Sequence, residues 1–248
     1  MEDKVIVITG ASAGIGAALA ELAASRGASV VLAARREKEL DDVRQRCGDK
    51  AFAVVADMTK REEARGVVAG AIARFDHIDV WVNNVGQGIT KVPSLLTDDD
   101  IDEMIRLNVK TAFYGMQEVL PHFIQRGEGH VINISSMLGR IPMATFRAAY
   151  SASKHFLNAL TTNFRMEVQE QHPNIQFSIV SPPVVRTEFG KNALHGGPDS
   201  RELPNSQDAG EVAEVIAGVI ESRKADVYSR EGSHDWVVKY YDELGVDR

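Results

Sequence analysis

Short runs of β-branched and other apolar residues recur along the chain and alternate with longer stretches in which apolar positions follow helical spacing. Runs of this length, bounded by glycine or polar residues, are typical of strands. The pattern predicts seven strands, at Val5–Thr9, Ser29–Ala34, Ala51–Ala56, Asp79–Asn83, His130–Ser135, Ile175–Ser181 and Asp226–Ser229. It predicts helices near 15–26, 37–47, 60–75, 98–125, 148–171 and 208–223.

Alternation of strands and helices favours an α/β fold, and strands that are apolar throughout indicate a parallel sheet covered on both faces. The 248 residues, 44% of them hydrophobic, suit one domain with a large core. We therefore expect a single-domain, doubly wound Rossmann-type fold over residues 1–248. The long Gly/Pro/polar stretch 188–207 predicts a substrate lid, with a variable surface loop as the alternative.

Composition narrows the classes of function. The formal charge of −7 and the lack of a basic run argue against nucleic-acid binding. The single cysteine, Cys47, leaves no internal disulfide, and the seven histidines form no cluster at metal-ligand spacing, so no metal is expected. The first strand follows Met1 almost directly and no apolar run approaches ~18 residues, so we expect no signal peptide, no membrane span and a cytoplasmic location.

A glycine cluster follows the first predicted strand and opens into the first helix, in the order Thr9-Gly10-Ala11-Ser12-Ala13-Gly14-Ile15-Gly16. Glycine lets a phosphate approach the backbone, and the first N–H groups of a helix lack partners and attract anions. The spacing G-x-x-x-G-x-G differs from the common G-x-G-x-x-G fingerprint, which leaves an ordinary glycine turn as the alternative. Its place on the first strand favours dinucleotide binding.

Two chemically active residues, Tyr150 and Lys154, lie four positions apart in a predicted helix and therefore project from one face, about one turn apart. A free phenol titrates near pH ~10, so a nearby cation would make its phenolate accessible as a base. The alternative is a surface pair on a helix. The spacing favours acid/base chemistry on one substrate.

With these motifs in order, the chain resembles the short-chain dehydrogenase/reductase family over about residues 4–230. Two positions depart from the family pattern: Val85 stands where that family has alanine, and Pro183 replaces a glycine. Neither departure removes a catalytic group, although Pro183 fixes φ and deletes an N–H. The markers of the resemblance are Thr9–Gly16, Asp57, Asn83-Asn84-Val85-Gly86, Asn108, Ile134-Ser135-Ser136, Tyr150-Ser151-Ala152-Ser153-Lys154 and Ser181-Pro182.

The resemblance implies a role for each marker. Tyr150 is expected to be the general acid/base, and Lys154 to lower its pKa and bind the nicotinamide ribose. Ser136, with Ser135 as its rival, is expected to hydrogen-bond the substrate oxygen, and Asn108 to hold a water that links Lys154 to solvent. The expected cofactor-binding set is Gly10, Ser12, Ala13, Gly14, Ile15, Gly16, Arg35, Arg36, Asp57, Met58, Asn84, Gly86, Tyr150, Lys154, Pro182, Val185 and Thr187.

Cofactor preference is decided at the end of the second strand, where Ala34 stands in place of an acidic residue that would bind the ribose of NAD. Arg35 and Arg36 follow, and planar guanidinium groups match a phosphate. We expect NADP(H) to be preferred, with NAD(H) as the alternative if both arginines are merely solvated. Asp57 is expected, by resemblance, to contact the adenine amino group.

The sequence thus predicts an oxidoreductase that transfers a hydride between NADP(H) and a carbonyl compound or secondary alcohol. A non-catalytic NADP(H)-binding sensor or interaction protein, and an epimerase or dehydratase, are the alternatives. The family resemblance implies a homodimer or homotetramer. The tail 235–241 could pack on a neighbour, close the pocket or cover the core. Apolar residues near the site indicate either an apolar substrate or core packing: Met137, Leu138, Ile141, Met143 and Phe146.

Overall fold

The structure, a computed structural model, describes residues 1–244. Seven strands form one sheet in the order β3-β2-β1-β4-β5-β6-β7, and every neighbouring pair is parallel. Each predicted strand forms, and no boundary differs from the prediction by more than one residue. The strands are β1 (Val5–Thr9), β2 (Ser29–Ala34), β3 (Ala51–Val55), β4 (Val80–Asn83), β5 (Gly129–Ile134), β6 (Ile175–Ser181) and β7 (Asp226–Tyr228).

Helices cover both faces of the sheet, so the doubly wound architecture is confirmed. The sequence predicted one helix over 98–125, whereas the chain forms two, and a helix beyond 223 was not predicted. The helices are α1 (Gly14–Ser25), α2 (Glu37–Cys47), α3 (Arg61–Phe75), α4 (Asp98–Ile105), α5 (Thr111–Arg126), α6 (Ala148–Gln169), α7 (Ala209–Ser222) and α8 (Ser233–Glu243).

Alternate residues of the buried strands point to opposite faces and build two apolar cores. In β1, Ile6 and Ile8 pack with residues of α1, α2 and α7, while Val7 packs with residues of α3, α5 and α6. All three side chains are fully buried. The uninterrupted apolar character of such strands follows from this burial on both sides.

The break between α4 and α5 is a π-helical turn at Arg106–Lys110. Such a turn inserts one extra residue into a helix and is frequent at functional sites. At its centre the Asn108 side chain accepts a hydrogen bond from the Gln87 backbone N at 2.9 Å and donates to the Gln87 carbonyl at 3.0 Å. A smooth helical pattern in sequence does not reveal this turn, because the pairing depends on a residue from another segment.

The order of the strands reverses at β1, which has β2 on one side and β4 on the other. In open α/β sheets, ligands bind outside the carboxyl ends of the strands at such a point. Here the Thr9 hydroxyl donates to the Val82 carbonyl at 3.2 Å and accepts from the Asn84 backbone N at 3.1 Å. These bonds join the ends of β1 and β4 at the mouth of the crevice.

The segment 188–207 follows β6 and lies over the same edge of the sheet. Its Leu194 pairs with the backbone of residues 88–90, at 2.8 Å to the Gly88 carbonyl and 2.9 Å from the Thr90 N. Its His195 lies 2.6 Å from Asp100 of α4, whose carboxylate also contacts Lys91 and forms the N-terminal capping box of that helix with Thr97. The segment is therefore attached to the body of the domain at its tip.

The last described helix, α8, returns to the same edge, where the Tyr241 hydroxyl donates to the Arg140 carbonyl at 2.7 Å. Its first turn follows Gly232, which adopts a positive φ of 75°. In the part of the chain that the structure describes, no helix is long and apolar enough to cross a bilayer.

Candidate active site

A cleft of about 1050 Å³ opens at the carboxyl ends of β1, β2, β4, β5 and β6. It brings together every residue predicted for the site except Gly16 and Asn108, which lie directly behind its wall. Residues that are far apart in sequence meet here because the parallel strands all end at this edge. The cleft has a cofactor end, around the glycine loop, and a substrate end, under the segment 188–207.

The glycine loop has a backbone conformation that residues with a Cβ rarely adopt. Gly10 and Gly14 adopt φ values of 67° and 58°, in the left-handed region that favours glycine. The N-cap of α1, Ala13, supplies no side-chain hydrogen bond, and the first turn carries no acidic residue. The free N–H groups and the positive end of the helix dipole therefore face the cleft, which fits a pyrophosphate.

Asn84 holds the loop against the end of β4. Its Nδ2 donates to the carbonyls of Thr9 at 3.3 Å and Gly10 at 3.2 Å. A Cβ on Gly16 would lie 2.5 Å from the Gly10 oxygen and 2.6 Å from Asn84 Nδ2, so only glycine fits there. Asn84 and Gly16 thus shape the pyrophosphate cradle from behind.

At the end of β2, the two arginines predicted to bind a phosphate border the cleft and are exposed. The Arg36 guanidinium donates to Ser12 Oγ of the glycine loop at 3.0 Å and lies 3.6 Å from Glu39. Arg35 forms no hydrogen bond or ion pair with any residue in 1–244. The end of β2 therefore places two guanidinium groups beside the glycine loop, and β2 contributes no carboxylate there.

Asp57 and Met58 form the opposite wall of the cofactor end. Burial by itself would raise the pKa of Asp57, but hydrogen bonds from the Thr59 backbone N and hydroxyl, at 3.0 and 2.8 Å, lower it, and with the nearby charges they outweigh burial. The nearby charges of Arg35 and Lys60 act in the same direction. The carboxylate is therefore ionised and fixed, as a hydrogen-bond acceptor for an amino group should be.

Tyr150 and Lys154 occupy the first two turns of α6 and project together into the cleft, where Lys154 Nζ lies 5.8 Å from the Tyr150 ring centroid. Tyr150 is 7% exposed and Lys154 is 3% exposed. Lys154 Nζ donates to the Ile134 carbonyl at 2.9 Å, at the end of β5. The two residues that are four positions apart in the sequence thus lie side by side on one wall of the cleft.

Burial controls the ionisation of both groups. It raises the pKa of Tyr150 to about 12, against the opposing effects of a hydrogen bond with Ser136 and the charge of Arg147. It also lowers the pKa of Lys154 to about 8. In the cofactor-free protein Ser136 and Arg147 both favour the phenolate, and the effect of Lys154 that the resemblance implies stays a prediction.

The two adjacent serines have different surroundings. Ser136 caps the short 3₁₀ turn Met137–Gly139, accepts from the Leu138 N at 3.1 Å and lies close enough to the Tyr150 hydroxyl to lower its pKa. The buried Ser135 hydroxyl has no partner within residues 1–244. Ser136 is therefore the serine that meets the phenol.

Asn108 is fully buried, and its side chain is occupied by the backbone of Gln87. Its Oδ1 would lie 3.0 Å from a Cβ on Gly86, and Lys154 Nζ would lie 3.4 Å from the same point. Asn108 and Lys154 therefore flank Gly86, which must be small for both to be there. The side chain of Asn108 supports this wall rather than lining the cleft.

Beyond β6, the cleft is bordered by Pro182, Pro183, Val185 and Thr187. The Pro182 carbonyl accepts from the Met137 N at 2.8 Å, which ties this segment to the turn that carries Ser136. Thr187 packs over the glycine loop, since a Cβ on Gly14 would lie 3.1 Å from its Cγ2. The segment that follows β6 and the glycine loop are thus in contact at the cofactor end of the cleft.

The substrate end is largely apolar. Leu138, Met143 and Phe146 border the cleft, whereas Ile141 is fully buried away from it and Met137 is almost fully buried at its edge. The apolar residues noted in the sequence thus divide between cleft wall and core.

Arg147 and Phe189 border this end and were not among the predicted site residues, whereas Trp236 lies in the tail 235–241, for which closing the pocket was one of the alternatives. The Phe189 ring lies 5.5 Å from the Tyr150 ring, edge to face. Trp236 comes from α8, and its spacing from Tyr240 was a helical signal that could have been used. Arg147 had no usable signal, because arginines are mostly exposed.

Within residues 1–244 no three His, Cys, Asp or Glu side chains are grouped so as to hold a metal ion.

Comparison with known proteins agrees with this geometry. The family model for short chain dehydrogenases matches residues 4–196. An oxidoreductase of Staphylococcus epidermidis is 33% identical over 212 residues, which are 84% of this chain and 90% of the relative.

Two solved structures are similar in fold. A short-chain dehydrogenase/reductase from Burkholderia phymatum in complex with NAD aligns with a TM-score of 0.89 at 21% identity, covering 100% of this chain and 98% of that one. An alcohol dehydrogenase from Thermococcus sibiricus complexed with 5-hydroxy-NADP has a TM-score of 0.76 at 27% identity, covering 92% and 95%.

Gly16→Ala should abolish binding of NADPH and NADH, because the added methyl meets backbone and amide atoms that hold the glycine loop. The matched control is Gly66→Ala in α3, where a Cβ meets nothing within 4 Å. Alanine in a helix interior is favoured over glycine by about 0.5–1 kcal/mol, so the control should be slightly more stable and bind normally. Fluorescence titration and urea unfolding measure both. Normal binding by the Gly16 variant would contradict the assigned cradle.

Lys154→Met should stabilise the cofactor-free protein by about 2 kcal/mol at pH 7, since a buried ammonium is removed at the loss of one hydrogen bond. The pKa of Lys154 is about 8 in the folded protein and 10.5 in the absence of burial. Between these two pH values the unfolded chain therefore binds one more proton at Lys154 than the folded protein does. The stability of the unmodified protein therefore rises with pH in that window, and the advantage of the variant shrinks.

Urea unfolding from pH 7 to 10.5 tests this expectation, with the exposed Lys38→Met as the control, which should change stability by less than about 0.5 kcal/mol. A Lys154 variant that is less stable at pH 7 would mean that the bond to Ile134 outweighs the burial of the charge.

Proposed function

The chain belongs to the short-chain dehydrogenase/reductase family, and on that premise we propose that it is an NADP(H)-dependent enzyme that interconverts a carbonyl compound and a secondary alcohol. The observation that carries the proposal is the grouping of Ser136, Tyr150 and Lys154 in one cleft, next to a glycine loop that fits a pyrophosphate. When bound, a reduced nicotinamide supplies the hydride. The protein must then supply a proton, orient the carbonyl and exclude water.

Tyr150 is the proton donor in this proposal. Its raised pKa keeps the phenol protonated at neutral pH, as a general acid for carbonyl reduction must be. Ser136, already paired with Tyr150, shares the substrate oxygen and holds it in line with the phenolic proton. As the oxygen takes up negative charge, both hydroxyls donate to it.

Lys154 places a positive charge behind Tyr150, which stabilises the phenolate once the proton has left. Its remaining N–H groups are the ones proposed to bind the nicotinamide ribose. Asn108 braces the wall beside Lys154, and a proton route through a water at Asn108 is part of the proposal. Thr187, Pro182 and Val185 would hold the nicotinamide end, and Gly86 and Asn84 the ribose side.

The preference for NADP(H) over NAD(H) is supported by the corner at the end of β2. Ala34 brings no carboxylate that would repel a 2′-phosphate, and Arg35 and Arg36 border the cleft with exposed guanidinium groups. Arg36 is already positioned by Ser12 of the glycine loop. Solved relatives hold either NAD or an NADP derivative, so the preference rests on these residues.

The segment 188–207 is proposed as the lid of the substrate end. It contributes Phe189 to the wall over Tyr150, and its residues Asn192, Leu194 and Gly196 are hydrogen-bonded to the segment 87–90. With Phe146 and Trp236, it presents exposed apolar side chains to the cleft, and closure of the lid over a substrate would exclude water from them. An organic carbonyl compound with an apolar part suits this space.

A homodimer or homotetramer is also proposed, supported by exposed apolar side chains on α6, among them Phe156 and Met166. A cytoplasmic location is proposed with it; the single cysteine leaves no partner for an internal disulfide.

Tyr150→Phe should reduce turnover by at least ~10³-fold while leaving NADPH affinity within about twofold, because only the transferable proton is removed. Tyr114→Phe, on α5 and outside the cleft, is the matched control and should keep full activity. Stopped-flow measurement of reduced nicotinamide with a ketone and aldehyde panel gives the rates, and fluorescence gives the affinity. Substantial turnover by the Tyr150 variant would refute the assigned acid.

Replacing both Arg35 and Arg36 by alanine should weaken NADPH binding about 10- to 100-fold and leave NADH binding within twofold, since only the 2′-phosphate loses its partners. Arg44→Ala, on α2 and paired with Asp41, serves as the matched control for loss of an exposed arginine. Titration of each variant with both nucleotides measures the ratio. Equal losses for the two nucleotides would show that these arginines act on the fold of the loop and not on the phosphate.

A further inference from the structure

One arginine at the substrate end is buried. Arg147 ends the short 3₁₀ turn Thr145–Arg147, three residues before Tyr150, and is 9% exposed. Its guanidinium borders the same cleft as the phenol, and its charge acts on the pKa of Tyr150. It is thus a cation at the reacting end of the site, separate from the arginines at the cofactor end.

The hydrogen bonding of Arg147 is incomplete. Nη1 donates to the Ile89 carbonyl at 3.0 Å, and within residues 1–244 the guanidinium has no other hydrogen bond and no carboxylate in ion-pair range. None of its nitrogens is both sealed from solvent and unpaired. The unpaired N–H groups therefore retain access to solvent, and the open space beside them is the cleft.

The fold leaves room for this group at two distant glycines. A Cβ on Gly88 would lie 2.8 Å from Nη1, and a Cβ on Gly197 would lie 3.1 Å from Nη2. The guanidinium is thus enclosed between the segment that follows β4 and the tip of the segment 188–207. Its orientation is fixed before any ligand arrives, which reduces the entropy lost on binding.

Burying a cation without a counter-ion is costly, and proteins normally pair such groups. The exposed Arg201, on the same rim, is paired with Asp199 and Glu188. Arg147 also lies over the Phe146 ring, 5.4 Å from its centroid, and this contact uses the face of the guanidinium and leaves its in-plane N–H groups free. A bond to one carbonyl needs only a single neutral donor, so these two contacts do not account for the remaining N–H groups of Arg147. Its free N–H groups form a planar fork that matches a carboxylate.

We propose that the substrate is a carbonyl compound that also carries a carboxylate, and that Arg147 is the specificity-determining residue that binds this carboxylate. The inference rests on the proposed reductase function and deepens it. The carboxylate supplies the counter-ion that the protein lacks, and binding it beside Tyr150 orients the carbonyl toward the phenolic proton. The apolar wall formed by Phe146, Phe189 and Trp236 holds the remainder of the molecule.

The test compares matched substrates and variants. Initial rates with NADPH are measured for a series of oxo acids and for their methyl esters, with the unmodified protein, Arg147→Gln and Arg147→Lys. We expect the unmodified protein to favour the acids at least tenfold in kcat/KM. The Gln variant should lose about 10- to 100-fold more in kcat/KM for the acids, mainly in KM, than for the esters, which register only the effect of the lost charge on Tyr150. The Lys variant should lie between them, and thermal unfolding checks that both variants fold.

Different results overturn the inference. Equal losses for acids and esters, with an alkaline shift of the pH profile for both, would mean that Arg147 acts through Tyr150 as a positioning residue. Reduction of neutral carbonyls alone would exclude an anionic substrate.

A binding experiment separates failure of the inference from failure of the proposed function. The protein is titrated with hexanoate and benzoate, and with the matching alcohols, while tryptophan fluorescence is followed. Trp236 borders the cleft and Trp81 is fully buried, so Trp236→Phe should remove the signal. Saturable binding of the carboxylates alone, weakened at least tenfold in Arg147→Gln, supports the inference even if no carbonyl is reduced. No saturable carboxylate binding overturns it, whether or not neutral carbonyls are reduced.

Discussion

The structure of the site depends on the slot that buries Lys154. The ammonium lies between Gly86, which follows β4, and the Ile134 carbonyl at the end of β5, and a Cβ on Gly139 would lie 2.9 Å from the Lys154 Cβ. A larger residue at Gly139 would push α6 away from the sheet, and one at Gly86 would press on Asn108. Since α6 also carries Tyr150, the placement of the phenol relative to the cofactor end follows from this one close approach. The lowered pKa of Lys154 reflects the cost of keeping a charge there.

The architecture and most of the site were accessible from the sequence, because they rest on local patterns. Burial on two faces produces apolar strands, glycine turns require glycine, and a four-residue spacing on a helix brings Tyr150 and Lys154 together. What the sequence did not show depends on contacts between distant segments. The burial of Arg147 requires space left by Gly88 and Gly197, and the pairing of Asn108 requires the backbone of Gln87. Neither partner is identifiable from spacing, since each is fixed only when the sheet is assembled.

The two ends of the cleft use arginine in opposite ways. Arg35 and Arg36 are exposed, so their attraction for an anion is screened by water and salt and adapts to small changes in position. Arg147 is enclosed and held at one orientation, which makes its interaction stronger and less tolerant of a misplaced partner. Exposure suits a common cofactor that must leave after each turnover. Enclosure suits discrimination among similar small molecules.

The π-helical turn at Arg106–Lys110 constrains how this segment can change in length. An α-helix rotates by about 100° per residue, so deleting one residue here would restore a regular helix and turn α4 relative to α5 by that amount. Met104 on α4 and Met116 on α5 are both buried, so neither helix can rotate freely to compensate. Single-residue insertions and deletions in this segment would move either the core or Asn108. We therefore expect the number of residues between the ends of α4 and α5 to vary less among related chains than the residues themselves.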